Sequence, residues 1–318
     1  MRAFLGTITA QLASSAWLDD EARADAPREA RLLAAAVLGL TPGDIARRIN
    51  QPLSVPERTR IERAADRRAR GEPMAYAVGS APFRHLMLRV DSRVLIPRPE
   101  TEGVVEEALR VTANGPGGIA VDIGTGSGAI ALALATEGQF DLVIATDISG
   151  DALQVAEDNA ALVGPRSRVE FRQGADLAPV EGVRARVIVS NPPYIAYEEA
   201  SALPASVRDW EPATALFAAD GGMARYDVLL RDAVSCLEPG GFLVLEVDAR
   251  RAQETATRAE QRGWIDVRLV RDLSGRDRVL VARAPGGSAP VVFHANAVAN
   301  AFAGATASLT SVPGPEAR

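Results

Sequence analysis

Lysine is missing from this 318-residue sequence, so all 35 of its basic residues counted as Lys or Arg are arginine. Without lysine there is no Schiff-base nucleophile and no P-loop lysine to grip a phosphate. Cysteine occurs once, at Cys236, which removes any internal disulfide. Its setting in DAVSCLEPGG reads as the apolar face of a helix before a turn, and a reducing, cytoplasmic home is expected. Histidine is nearly as scarce: His85 sits in an alternating stretch and His294 near the end, neither with His or Cys at metal-ligand spacing. Neither a metal site nor a Ser-His-Asp triad is expected. No run approaches the roughly 20 unbroken apolar residues that cross a bilayer, and acidic residues follow closely on the short apolar start. A cleaved signal and a membrane partner are therefore not expected. The net charge of −6 leaves attraction to phosphate backbones to a local patch at most, and no direct nucleic-acid partner is expected.

What is present is enough apolar material, 47% of residues, for one large core and a small second domain. Residues 1–75 read as a helical substrate-binding domain, with apolar positions at helical spacing from Ala30 to Leu40. Thr41-Pro42 with Asp44, and Ser54 with Glu57 three residues on, are helix-start signals; Gly71 is a stop. Residues 76–99 read as a β-hairpin linker, in which Leu86, Leu88 and Val90 alternate with His85, Met87 and Arg89 before Asp91-Ser92-Arg93 interrupts and Val94-Leu95-Ile96 follows. In residues 100–285, short apolar runs alternate with helical segments: Ile119–Ile123, Leu142–Ala145, Val169–Phe171, Val187–Val189 and Phe242–Val247. That order predicts an α/β, Rossmann-like doubly wound parallel sheet. The runs Ile265–Val270 and Arg278–Ala282 are too close for a crossover helix and should pair antiparallel at its edge. Residues 286–318, rich in Ala, Gly, Ser and Val, read as a disordered tail.

Two corners of that sheet carry chemistry. VDIGTGSGAIALALA sets Asp122 at a strand end, then Gly124, Thr125, Gly126, Ser127 and Gly128, then a helix. Glycines let the backbone turn sharply and let a ligand lie against main-chain atoms. The spacing is GxGxG rather than the GxGxxG of a pyrophosphate binder, which favours a nucleoside bearing an amino-acid appendage, as in S-adenosylmethionine. Alone the turn is a weak signal. Asp147 ends the next strand where an acid can accept from both ribose hydroxyls, and Asp122 is placed to meet an ammonium group. Asp176 is positioned to accept from an adenine amino group with Leu177 packing on the ring; a surface aspartate in a loop is an equal reading.

The second corner is Asn191-Pro192-Pro193-Tyr194, directly after the fourth strand. An amide nitrogen is a poor nucleophile because its lone pair is delocalised into the carbonyl. The Asn191 side-chain oxygen and the Pro192 carbonyl can each accept one hydrogen of an NH₂ group and so aim that nitrogen at a methyl donor. Consecutive prolines stiffen the corner and remove competing donors, while Tyr194 offers a flat face for a planar acceptor. The plainer reading is a rigid loop after a strand.

With these motifs in hand, the sequence resembles the HemK/PrmC-type protein-(glutamine-N(5)) methyltransferases, which modify class 1 peptide-chain release factors. The likeness covers roughly residues 28–284 and rests on GEPMAYAVGSAPF, VLIPRPETE, DIGTGSGAIALALA, VSNPPYI, WEPATALFAADGGM and DLSGRDRVLVAR. It implies a class I S-adenosylmethionine-dependent methyltransferase domain, a small N-terminal helical domain that helps grip the release factor, and a β-hairpin between them. It also implies cofactor contacts at Gly124 to Gly128, Asp147, Leu177 and Asn191, and glutamine recognition at Asn191, Pro192, Pro193 and Tyr194. The target in that family is the glutamine of a Gly-Gly-Gln loop.

Arg186 and Asp248 depart from the family pattern, where an aspartate and a glycine are usual, and Asp248 puts the shape of a loop near the pocket in doubt. Rival readings are a ribosomal-protein glutamine methyltransferase, a DNA adenine amino-methyltransferase, which needs a basic face and a target-recognition region, and a catalytically silent binding module. The PRPETE run favours the release-factor branch, and the intact Asp122, Asp147 and Asn191 speak against decay. Glu211 is expected to be a solvated loop carboxylate rather than an arginine partner. Arg98 and Glu100 order the linker or form a surface pair, and Trp17, Trp210 and Trp264 are expected to be packing residues.

Overall fold

The computed structural model describes residues 1–115, 117–165 and 167–286. Apart from Gly286, the expected tail lies outside the described residues.

The chain opens in a helical bundle built on helices Arg2–Ala13, Ala26–Leu38 and Val55–Ala69. Their apolar stripes close on a core of Leu5, Ile8, Leu12, Leu33 and Ile61 with small Ala30, Ala34 and Ala65 between them, which lets the helices approach closely. Both predicted starts are reciprocal capping boxes. Thr41 Oγ1 accepts from the Asp44 amide at 3.1 Å while Asp44 accepts from the Thr41 amide at 3.0 Å, and Ser54 and Glu57 repeat the exchange. The arginine-rich helix is capped by Arg70, and Gly71 follows at φ 90°. Trp17 departs from expectation, with 69% of its surface exposed at the bundle's edge, whereas Trp264 is buried.

The hairpin that follows is β1 (Ser80–Phe83) with β2 (Leu86–Arg89), paired antiparallel from Ser80–Arg89 to Phe83–Leu86. The alternation around Leu86 and Leu88 is a strand, but its partner precedes it rather than follows: Val94–Ile96 is not a strand. The reason is the two-residue turn at Arg84 and His85, where Arg84 takes φ 50° and its guanidinium is held by Glu137 at 2.6 Å. Asp91 meanwhile accepts from the Arg93 amide at 3.0 Å and folds 91–93 into a turn that releases Val94 and Ile96 into a small apolar cluster with Tyr76, Ala152 and Val155.

The body of the molecule is a seven-stranded sheet made of β3 (Ile119–Ile123), β4 (Leu142–Asp147), β5 (Arg168–Gln173), β6 (Ala185–Ser190), β9 (Leu237–Glu246), β10 (Ile265–Arg271) and β11 (Asp277–Arg283). A separate parallel pair, β7 (Ile195–Ala196) with β8 (Phe217–Ala218), lies between β6 and β9 in the chain. The spatial order is β10-β11-β9-β6-β3-β4-β5. The five strands from β9 to β5 are parallel, and β11 runs antiparallel to both its neighbours, the edge arrangement expected from the short 272–276 loop. Parallel strands covered on both faces need continuous apolar runs, and β3, β4 and β6 bury nearly every residue. Helix Ala129–Glu137 is buried almost all round, which its Ala/Leu/Ile composition permits. The strand order reverses between β3 and β6, and in such sheets a crevice opens beyond the strands' carboxyl ends at that switch.

Candidate active site

Each parallel strand around the switch delivers a polar residue at its carboxyl end. At the end of β3, Asp122 is wholly buried; its Oδ2 accepts from Thr125 Oγ1 at 2.7 Å and from the Ala131 amide at 3.1 Å. It thereby ties the glycine turn to the first turn of the following helix. Burial, with no counter-ion among the described residues, raises its carboxyl pKa to about 7, the hydrogen bonds from Thr125 and Ala131 opposing that rise and the Asp147 charge adding to it. Gly124 and Gly126 take φ 74° and 54°, and a Cβ on either would stand in open space rather than against protein. They form the bare wall that a closely apposed ligand needs. Gly128 serves packing instead, since a Cβ there would press on Ala156 and Leu132 at 3.2 Å. Asn159 braces the turn by donating to the Ser127 and Arg89 carbonyls at 2.9 and 3.0 Å.

Asp147 closes β4. Its two oxygens accept from the Gly126 and Ser149 amides, both at 2.9 Å, which fixes the carboxylate at the rim of the turn. Burial raises its pKa, and the amide hydrogen bonds oppose the rise. Past β5, Asp176 at φ 50° receives Arg225 Nη1 on both oxygens at 2.9 and 3.0 Å.

At the end of β6, Ser190 Oγ donates to the Ile123 carbonyl at 2.7 Å and holds the Asn191–Tyr194 segment beside the glycine turn. Asn191 Nδ2 donates to Thr101 Oγ1 at 3.2 Å, and Thr101 Oγ1 donates to Glu246 Oε2 at 2.5 Å. The Tyr194 hydroxyl meets Glu246 Oε1 at 3.5 Å. Glu246, the last residue of β9, is almost fully buried, and that burial lifts its pKa to about 7 against the pull of Thr101 and Arg278. Burial likewise pushes the Tyr194 phenol upward, with the nearby Glu246 charge in the same sense, so it stays protonated.

These ends enclose a cleft that opens to solvent at its mouth. Gly124, Gly126, Asp147, Asp176, Asn191, Pro192 and Pro193 line it. A second recess is lined by Leu95, Arg98, Asn191, Pro192 and Tyr194 among others, so Asn191 and Pro192 border both spaces. Asp122, Thr125, Ser127, Gly128 and Leu177 do not line the cleft. The first four support it from below, and Leu177, 3% exposed, is packed in the main core with Val180 and Tyr226. Asp176 is not a free surface aspartate, being paired and on the wall.

Sequence reasoning missed several residues. Glu211 is buried rather than solvated: its Oε1 pairs with Arg98 and its Oε2 accepts from the Ile96 amide at 3.2 Å. Its pairing with Arg98 also takes that arginine away from Glu100. Thr101, Glu246 and Arg225 were not singled out. The one local signal was that Glu246, like Asp122 and Asp147, is an acid at the carboxyl end of an apolar run. The two departures lie apart from the cleft. Arg186 donates to the Thr112 and Gly117 carbonyls at 2.9 and 3.3 Å, and Asp248 joins a cluster with Arg250 and Arg251.

The PrmC N-terminal domain family matches residues 11–79, and the methyltransferase small domain family matches residues 107–207. The release factor glutamine methyltransferase of Cereibacter sphaeroides is 40% identical over 261 residues, which span 82% of this chain and 92% of that protein. The chain belongs to the release factor glutamine methyltransferase family. A second member, from Moorella thermoacetica, is 39% identical over 80% of this chain and 90% of its own length. The fold is also that of the hMettl16 catalytic domain, solved in complex with a MAT2A 3'UTR hairpin, at a TM-score of 0.51 over 76% of this chain and 85% of that one with 16% identity. Family and fold make the chain an S-adenosylmethionine-dependent methyltransferase, with the class I sheet and a helical N-terminal domain. Among the described residues, no helix is long and apolar enough to cross a membrane and no cluster of His, Cys, Asp or Glu is fit to hold a metal.

Proposed function

We propose that this enzyme methylates the side-chain amide nitrogen of the glutamine in the Gly-Gly-Gln motif of class 1 peptide-chain release factors, in the cytoplasm. The observation that carries this reading is the wall formed by Asn191 and Pro192, which border the cleft on one side and the Tyr194 recess on the other. The chain's relatives carry the name release factor glutamine methyltransferase, which supports the same acceptor.

The residues of the cleft fit S-adenosylmethionine. Gly124 and Gly126 offer main chain without side chains, Asp147 offers carboxylate oxygens to ribose hydroxyls, and Asp176, held by Arg225, offers an acceptor to the adenine amino group. Asp122, sealed under the turn, acts by shaping it. When bound, the cofactor supplies an electrophilic methyl group on a sulfonium. Glutamine enters the recess, where the Asn191 side-chain oxygen and the Pro192 carbonyl each accept one amide hydrogen and Tyr194 flanks the planar group. The nitrogen is thereby held in a fixed orientation with its lone pair aimed at the neighbouring cleft. Residues 1–75 serve as the module that grips the rest of the release factor, and residues 76–99 join it to the catalytic domain of 100–285.

The test is incubation with labelled S-adenosylmethionine and, in parallel, a purified release factor, a ribosomal-protein substrate and adenine-containing DNA. Label on the Gly-Gly-Gln glutamine is the expected outcome. Label on DNA, with that glutamine left bare, overturns it.

A further inference from the structure

We infer that Thr101 and Glu246 are positioning residues that decide which end of the Asn191 amide faces the acceptor. An asparagine side chain has two nearly isosteric ends, an oxygen that accepts and an NH₂ that donates. Only the oxygen end is useful opposite a substrate NH₂. The NH₂ end would set donor against donor and push the acceptor nitrogen out of line. Nothing in the shape of a pocket separates the two ends; hydrogen-bond polarity must do so.

The polarity runs outward from β9. When ionised, the Glu246 carboxylate only accepts, so its Oε2, 2.5 Å from Thr101 Oγ1, takes the single hydroxyl proton of Thr101. Thr101 Oγ1 is then left with lone pairs alone. The Asn191 group 3.2 Å away must be the donor Nδ2, and Oδ1 is turned away from Thr101. The Tyr194 hydroxyl, at 3.5 Å from Glu246 Oε1, gives the carboxylate a second donor and ties the other recess residue to the same anchor. Thr101 and Glu246 are both buried, so water is poorly placed to substitute for either.

Protonation reverses the device. A neutral Glu246 can donate to Thr101, whose own proton is then free to point at Asn191 and hold Oδ1 instead. The groups that set when this happens are Thr101, Tyr194, Arg278 and Glu100, with burial the dominant influence.

The inference rests on the amide-acceptor reading, and the experiment separates the two. Thr101→Val keeps the shape and deletes the hydroxyl; Thr101→Ser restores it. Methyl transfer to the release factor is followed in both, and binding of S-adenosylmethionine by calorimetry certifies that each variant is folded. Thr101→Val is expected to lose about tenfold or more in kcat with cofactor affinity unchanged, and Thr101→Ser to recover most of it. The acid limb of wild-type kcat should be absent or displaced in Glu246→Gln. Independently of any acceptor, the Asn191 side-chain ¹⁵N–¹H₂ signals, assigned by their loss in Asn191→Asp, should shift on Thr101→Val and return in Thr101→Ser. Wild-type kcat in Thr101→Val together with unmoved Asn191 signals overturns the inference. A wild-type enzyme that leaves the release factor unlabelled removes the substrate reading, and the Asn191 signals still decide the orientation.

Discussion

The helical bundle and two carboxylates at the carboxyl edge of the sheet, Asp122 and Glu246, bury charge in opposite ways. In the bundle, each buried charge meets its opposite: Arg68 places Nε and Nη2 on the two Glu29 oxygens, both at 2.8 Å, and Glu72 is paired with Arg67. At the sheet edge, among the described residues, Asp122 meets only a hydroxyl and an amide, its Oδ1 has no hydrogen-bond partner, and Glu246 meets hydroxyls. Pairing fixes a charge and makes it inert. Leaving a carboxylate without a counter-ion costs stability and raises its pKa, which natural folds tolerate where polarity has to be aimed. The bundle is thus built for rigidity and the sheet edge for orientation.

The sharpest way to break that contrast is Asn191→Ala, which removes the aimed oxygen and touches no core. A loss of about a hundredfold to a thousandfold in kcat, with little change in melting temperature, is expected from misplacing a reacting group. Turnover near the wild-type value would show that the edge does not orient the acceptor. The next largest effect concerns stability. Arg98→Ala strips the partner from Glu211, whose carboxylate is almost fully buried, and should cost about 3 kcal/mol in a urea melt, as breaking a buried pair does. A cost under about 0.5 kcal/mol would mean that this pair behaves as an exposed one.

Glu211 also marks where the sequence stopped being legible. The seven sheet strands, the two capping boxes, the glycine turn and the Asn191–Tyr194 corner are local patterns, visible in periodicity and in spacing over a few residues. Glu211 and Arg98 are 113 positions apart, and Thr101 and Glu246 are 145 apart. No short-range pattern links them; only the closing of the sheet does. The hairpin lies in the expected segment, but which strand pairs with Leu86–Arg89 was hidden for a related reason. Leu86–Arg89 can pair with either flank, and the choice fell to a turn at Arg84 secured by Glu137, which is 53 positions away. Leu177 shows the same limit, since a leucine after a strand packs on a ligand or in the core according to what surrounds it.

The pH dependence of stability sharpens the comparison from the side of the unpaired carboxylates. Asp122 is raised from 3.8 to about 7 in the folded protein, so the folded state binds its proton more tightly than the unfolded chain does. Its contribution is therefore fully present below pH 4 and is lost as pH rises through 7, the reverse of a salt-bridged aspartate. Without cofactor, Asp122→Asn should gain about 2 kcal/mol or more on wild type between low and neutral pH, because each tenfold gain in proton affinity on folding is worth about 1.4 kcal/mol. Urea melts across that range check it; parallel curves for the two proteins would show that the carboxylate is as well satisfied as those of the bundle.

The smallest effect tests the bundle itself. Ser54 Oγ accepts from the Glu57 amide at 3.4 Å, and Glu57 Oε2 in turn accepts from the Ser54 amide at 2.7 Å. Ser54→Ala deletes the first and leaves one amide of the helix start to water, a loss of about 1 kcal/mol. The site is exposed and lies outside the cleft, so kcat on a short Gly-Gly-Gln peptide should be unchanged while the urea midpoint falls. A fall in kcat at equal folded fraction would mean that the bundle's helix start is coupled to the sheet edge, and the division of labour between rigidity and orientation would fail.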